Sequence, residues 1–272
     1  YFSILANPLD LIRTKKVLQV NPTLEAHRVE PDNIKIFVYD YNSDGVEEKE
    51  VTSLQDCYKY LDTNKVSWIN VDGLRKKVVE DISNHFGIHP LIAEDILSFG
   101  QRPKMDELNG LLFCLLSTLY YNETDNTVES EQTSIVLGKN FVISFQEDAT
   151  KDVFNPLLEQ IKVAGGKIRT SGADYLFYSM LYMIVDNYFI VMEKLGEVSE
   201  ALEEDMIRRA DNTTLSEITL LCNAVIVLKR SISPVRELIN GILRSENNLV
   251  DEETEKYFKD VYDHINQANE LA

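Results

Sequence analysis

Two places in the sequence gather carboxylates at a spacing that could do chemistry. In HPLIAEDILSFGQRPKM (residues 89–105) Glu94 and Asp95 are adjacent, with Pro90 and Pro103 toward the two ends. In FKDVYDH (residues 258–264) Asp260 and Asp263 stand at i and i+3, neighbours on one side of a helix. Carboxylates are hard oxygen ligands suited to magnesium or calcium, and magnesium gives up its water reluctantly. A few acids from two surfaces would therefore hold a partly hydrated ion weakly. The plain alternative is a solvated acidic face. With about 100° per residue, a helix starting at Pro90 puts Ile92, Ala93, Ile96 and Leu97 on one side. Glu94, Asp95 and Ser98 fall on the other, with Leu91 among them. Both acids then project away from the apolar stripe, and on periodicity alone the solvated face is the favoured reading.

Other chemistry has less support. His85 and His89 are four apart, as zinc ligands on a helix would be, but Gly87 lies between them and Pro90 follows. Surface or helix-end histidines are the better reading. In GGKI (165–168) Ile168 stands where a phosphate loop needs Ser or Thr, so the segment reads as a turn. No Gly-x-Ser-x-Gly elbow occurs. The EF-hand pattern is also missing from the sequence.

The elements that must carry the acids fall into two textures. Up to about Asp148 the sequence alternates strands, turns and short helices. IKIFVYDY (34–41), VSWINVDG (66–73) and LLFCLLSTLYY (111–121) read as strands. TSIVLGKNFVISFQ (133–146) reads as a hairpin around Gly138-Lys139-Asn140. KKVVEDISNHFG (76–87) has Val78, Val79, Ile82 and Phe86 at helical spacing and stops at Gly87. This mixture predicts an α/β sandwich with a mixed sheet. After Asp174 the strand signals cease. Leu181, Ile184, Val185, Tyr188, Phe189, Met192 and Leu195 mark a long amphipathic helix running to Ala210. Asp211-Asn212-Thr213-Thr214 is a break rich in N-cap residues. A second long helix, containing Pro234, follows to about Leu243. A third starts near Glu253 with Tyr257, Val261, Ile265, Ala268 and Leu271 on one face. It meets no stop signal before Ala272, so the helix is expected to continue past that residue. Helices this polar need a partner to bury one stripe.

Composition sets outer bounds. The 272 residues carry 27 Lys+Arg against 45 Asp+Glu, a formal charge of −18. Such a surface repels phosphate backbones, which argues against nucleic acid, and it concentrates cations. Cys57, Cys114 and Cys222 form no framework, which fits a reducing compartment. The Asn-x-Thr matches at Asn122 and Asn212 are then coincidental. The sequence opens on Tyr1, not Met, and no leader pattern begins it. The apolar stretch 175–192 is interrupted by Asp186 and Asn187. A charge at mid-bilayer costs at least ~2.5 kcal/mol, so the stretch reads as a buried core helix. The apolar run 110–121 is too short to span a bilayer as a helix.

Taken together, HPLIAEDIL and QRPKM resemble the signature of the CorA family of magnesium transporters. SWINVDG, FGIHPL, TSIVLGKNFVISFQED, GADYLFYSMLYMIVDNYF, SPVRELING and YFKDVYDHINQ follow in the family's order. The resemblance runs from about Lys35 to the end. It implies an α/β/α sandwich over residues 1–172, two long antiparallel helices over 173–250, and the start of a stalk helix over 251–272. The family's Tyr-Gly-Met-Asn pore signature and membrane helices do not occur in these 272 residues, so the resemblance implies the cytosolic part, at the cytoplasmic face of the membrane. It further implies a homopentamer in which Asp95 faces Asp260 of a neighbour across a regulatory Mg2+, with Glu94 and Asp263 as further contributors. Where the family can add an Asp one turn before Val185-Asp186-Asn187-Tyr188-Phe189, this sequence has Tyr182. Within the family the cargo could instead be zinc, cobalt or nickel. Outside it, a helical scaffold without an ion role is the alternative. An enzyme is not expected.

Overall fold

A computed structural model describes residue 31 and residues 34–61, 63–147, 153–208 and 212–272. Its strands are β1 (Lys35–Tyr41), β2 (Val46–Glu50), β3 (Val66–Asp72), β4 (Lys104–Leu108), β5 (Leu111–Asn122), β6 (Thr127–Leu137) and β7 (Phe141–Gln146). They form a seven-stranded sheet in the order β2-β1-β3-β7-β6-β5-β4. Every pairing is antiparallel except β3 with β7, so the sheet is mixed, as the sequence predicts.

The long apolar runs have a simple cause. Successive side chains on a strand point to opposite faces, and here both faces are covered. On β5, Leu112, Cys114 and Leu116 join one core, whereas Phe113 and Leu115 join the other. The second core is closed by α2 (Lys76–Phe86) and α3 (Pro90–Leu97), through Val79, Ile82, Phe86, Ile92 and Ile96. The first is closed by α4 (Asn155–Lys162), α6 (Ala173–Arg208), α7 (Asn212–Arg244) and α8 (Glu252–Leu271). Two short helices, α1 (Gln55–Tyr58) and α5 (Lys167–Thr170), complete the set. The architecture is thus the expected α/β/α sandwich with long C-terminal helices.

Local chemistry explains the turns. Gly87 ends α2 in the left-handed region at φ 71°. The β4–β5 hairpin turns on Asn109 and Gly110, both at positive φ (57° and 74°), which suits the twist of the flanking strands. The edge strands β2 (VEEKE) and β4 (KMDEL) are charged, a common guard against edge-to-edge pairing. Arg169, buried on α5, donates to the carbonyls of Asn42 (2.6 Å) and Ile161 (3.1 Å). It thereby ties the β1–β2 turn to the end of α4.

The polar residues inside the apolar stretch of α6 are fasteners. Asn187 Oδ1 accepts from the Leu119 amide at 3.2 Å, and Tyr188 Oη donates to the Ser117 carbonyl at 2.7 Å. Phe177, Met180, Leu181, Ile184 and Val185 are buried beside them. By length and composition alone α6 and α7 are apolar enough to cross a membrane; half of the α6 window is buried within this fold, against 28% for α7. The two helices pack on each other and are only three residues apart in sequence, a connection that makes such neighbours antiparallel; Leu195 and Leu202 of α6 and Leu220 and Leu221 of α7 line one pocket between them. The predicted continuation of the first long helix through Ala210, and Asp211 of the break, lie outside the described residues. Pro234 sits within α7 without ending it. It deprives the Arg230 carbonyl of a donor, but Arg230 is exposed, so water can serve there.

The β6–β7 hairpin offers a stability test. A Cβ on Gly138 would fall 2.3 Å from the ring of Phe141, which is itself buried and edge-on to Phe86. G138A is therefore expected to cost about 1–3 kcal/mol by overpacking, read as a lowered thermal midpoint. An unchanged midpoint would mean the hairpin has room to relax.

Candidate metal-binding acids on α3 and α8

Helix α3 is fixed at both ends. Pro90 occupies its first turn, and Nδ1 of His89 accepts from the Leu91 amide at 3.2 Å. His85 stacks on Tyr58 at 3.8 Å, with its Nε2 3.2 Å from the Tyr58 carbonyl. Both histidines thus have structural duties, as their helix-end reading anticipates. At the carboxyl end, Ser98 closes the helix through its amide and hydroxyl, both on the Glu94 carbonyl (2.9 and 2.8 Å). Gln132 of β6 donates to the carbonyls of Asp95 (3.2 Å) and Ile96 (3.3 Å). Pro103 does not bound the helix; α3 stops at Leu97, and Gly100 at φ 62° turns the chain toward β4.

The two acids of α3 have different surroundings. Glu94 is exposed, as projection predicts. Asp95 is not part of a free acidic face: its side chain is only 18% exposed, and Lys104 Nζ lies 2.6 Å from its Oδ2. Gln101 Nε2 donates to its Oδ1 at 2.9 Å. The helical projection misplaced Asp95 because a lone helix carries no trace of the strand that packs beside it. A carboxylate near the carbonyl end of a helix is disfavoured by the dipole, and the ammonium of Lys104 offsets that.

Helix α8 opens with Asp251, whose Oδ1 accepts from the Thr254 amide at 2.6 Å and whose own amide donates to Asp174 at 3.2 Å. Its buried stripe is Thr254, Phe258, Val261, Ile265 and Ala268. This corrects two members of the predicted face: Leu271 is exposed, and Tyr257 is half-buried in the seam with α6. There Tyr257 meets Tyr175 at 5.5 Å and Tyr178 at 5.2 Å, and His264 meets Tyr182 at 5.7 Å. The matching order means α8 runs parallel to α6. Lys167 binds Glu253 at 3.0 Å and also the Tyr257 hydroxyl, clasping the base of α8.

Asp260 and Asp263 face outward on α8, both exposed. Burial, followed by the neighbouring tyrosines and Asp260, raises the pKa of Tyr178. Burial, then Asp186 and Asp260, raises that of Tyr182. Tyr182 thus lies within electrostatic reach of Asp260. Burial also raises the pKa of the Cys57 thiol, to about 11.

The structure brings Glu94 and Asp95 together on α3, and Asp260 and Asp263 together on α8. It does not join the two pairs: α3 belongs to the core on one side of the sheet and α8 to the core on the other. Among the described residues, no group of three or more His, Cys, Asp or Glu is placed to hold a metal ion. The donor type fits Mg2+, but the donor number among the described residues of one chain does not; a site using both helices would need a second copy.

Comparison with known proteins fits this frame. The sequence pattern of the family described as CorA-like Mg2+ transporter protein matches residues 63–272. The chain belongs to this family. It is 36% identical over 237 residues to the cobalt/magnesium transport protein CorA of Thermotoga maritima, covering 87% of this chain and 67% of that protein. It is 28% identical over 205 residues to the putative metal ion transporter YfjQ of Bacillus subtilis, covering 75% of this chain and 62% of that protein. In fold it resembles the soluble domain of CorA from Methanocaldococcus jannaschii, with a TM-score of 0.68, 18% identity, and 90% and 92% of the two chains covered. The CorA-like family is one of transporters, not of enzymes.

The seam between α6 and α8 can be tested directly. Phe258 is fully buried against Phe177 and Tyr178. F258A should cost about 3–5 kcal/mol and expose α8 to protease before the sheet domain is cut. Cleavage at the wild-type rate within α8 would show that Phe258 does not hold the helix.

Proposed function

We propose that this chain is the cytoplasmic, ion-sensing part of a CorA-like transporter of magnesium, with cobalt as a second cargo. The carrying observation is the placement of two acid pairs on opposite sides of one sheet, within a chain of this family. Such pairs complete a site only between copies. In this reading Asp95 of one protomer faces Asp260 of the next across a hydrated Mg2+, in a homopentamer at the cytoplasmic face of the membrane. Glu94 and Asp263 add water-mediated contacts. The division into a sandwich, a long helical pair and a stalk belongs to the same proposal.

Regulation follows from linkage. A ligand shifts an equilibrium only by its differential affinity for the two states. Mg2+ bound between protomers favours the arrangement that brings the acids together, and its loss at low cytosolic concentration releases them. The affinity must be weak to respond near cellular levels, and few carboxylates around a hydrated ion provide that. Cobalt is supported by the name of the Thermotoga relative. For zinc the pair His85 and His89 offers little, since each is already engaged.

The test is Mg2+ titration of the full-length protein, followed by limited proteolysis. Wild type should become protected as Mg2+ rises, whereas Asp95→Lys and Asp260→Lys should lose that protection. Equal protection of all three would overturn the assignment.

A further inference from the structure

We infer that Lys104 is a built-in competitor for the ion at Asp95, and that Asp106 receives its ammonium when the ion binds. The inference rests on the reading of Asp95 as an ion-contacting acid. Three distances carry it. Lys104 Nζ is 2.6 Å from Asp95 Oδ2 and 3.9 Å from Asp106 Oδ2, and Gln101 holds the other Asp95 oxygen at 2.9 Å. Lys104 and Asp106 are two apart on β4, hence on the same face of the strand. The ammonium therefore has two carboxylates within reach of one flexible stem. Asp106 is the more exposed of the two, at 43% against 18%.

Both oxygens of Asp95 are engaged before any ion arrives. A cation entering at Oδ2 meets a positive charge already seated there, whereas at Oδ1 it meets only a neutral amide. Binding thus becomes an exchange in which Mg2+ or its hydration water takes Asp95 and Lys104 moves to Asp106. The consequence differs from simple repulsion between bare acids. With the ion gone, Asp95 stays neutralised by its own chain, so its repulsion toward a neighbour's acid is damped. The midpoint of the response is then set by competition as much as by ligand number. Coulomb energy at short range in a half-buried place is large enough to matter, and Lys stems reorient readily.

The experiment measures the Mg2+ midpoint of protease protection and of the thermal shift in the full-length protein, for wild type, K104Q, K104R, D106N and D95N. K104Q should lower the midpoint by about two- to fivefold, the scale of losing one partly screened charge, and K104R should stay near wild type. D106N should raise it, because the displaced ammonium loses its second seat. D95N should abolish the response, and K104Q should have no effect in that background. Lys104 is a third exposed, so K104Q should keep the fold; K104M serves as the second neutral variant. An unchanged or raised midpoint in both neutral variants, with D95N silent, would overturn the role of Lys104 and leave Asp95 standing. A wild-type response in D95N would overturn the reading of Asp95 itself, and the competition with it.

Discussion

The sheet must be covered on both faces, and that constraint organises the rest of the molecule. Strands β3, β5, β6 and β7 are apolar on both sides, so each side needs its own layer of helices. One layer is short and local, made of α2 and α3. The other is long and comes from the C-terminal half. Any acid on α3 is therefore separated from any acid on α8 by the thickness of the sandwich. Paired sheets and helices pack about 10 Å apart, well beyond the two-ångström reach of a magnesium–oxygen bond. The same packing that makes the chain stable keeps its two acidic surfaces from meeting, and it leaves assembly as the route by which they could share an ion.

Much of this was legible in the sequence, for reasons that differ by element. The β6–β7 hairpin stood out because two apolar runs flank Gly138-Lys139-Asn140, and the pairing of Leu137 with Val142 bears it out. Helix α2 was legible because its stripe ends on a glycine in the left-handed region. The edge strands β2 and β4 were not, because each is dominated by charge and buries little. The Asn109-Gly110 pair was an available signal for the β4–β5 hairpin, and it marks the start of β5 as well. On α8 the predicted face was displaced from the observed one: Tyr257 reads as core by hydrophobicity, but its ring lies in an aromatic seam and Phe258 takes the core position.

The candidate site was legible in its residues and illegible in its electrostatics. Glu94, Asp95, Asp260 and Asp263 can be named from motif and spacing. That Asp95 is already paired cannot, because Lys104 reaches it only after the chain turns at Gly100 and enters β4. Periodicity treats a helix as an isolated cylinder. Here the neighbouring strand supplies the charge that decides the character of the acid.

The two acid pairs are also mounted differently, and that asymmetry bears on how a signal could travel. α3 is capped by His89, closed by Ser98 and held by Gln132, so Asp95 stands on a rigid part of the sandwich. α8 is anchored at its base, where Asp251 meets Asp174 and Lys167 clasps Glu253. Along its length it packs against both α6 and α7, meeting α6 through aromatic rings and burying Val261, Ile265 and Ala268, all non-directional contacts. Aromatic contacts tolerate small shifts in angle at modest cost, whereas the base contacts are directional. A pull on Asp260 would then rock α8 about a fixed end, with displacement growing away from Asp251. On the proposed function, the sandwich would be the frame and α8 the lever, and an ion shared between Asp95 and a neighbour's Asp260 would join one protomer's frame to the next protomer's lever.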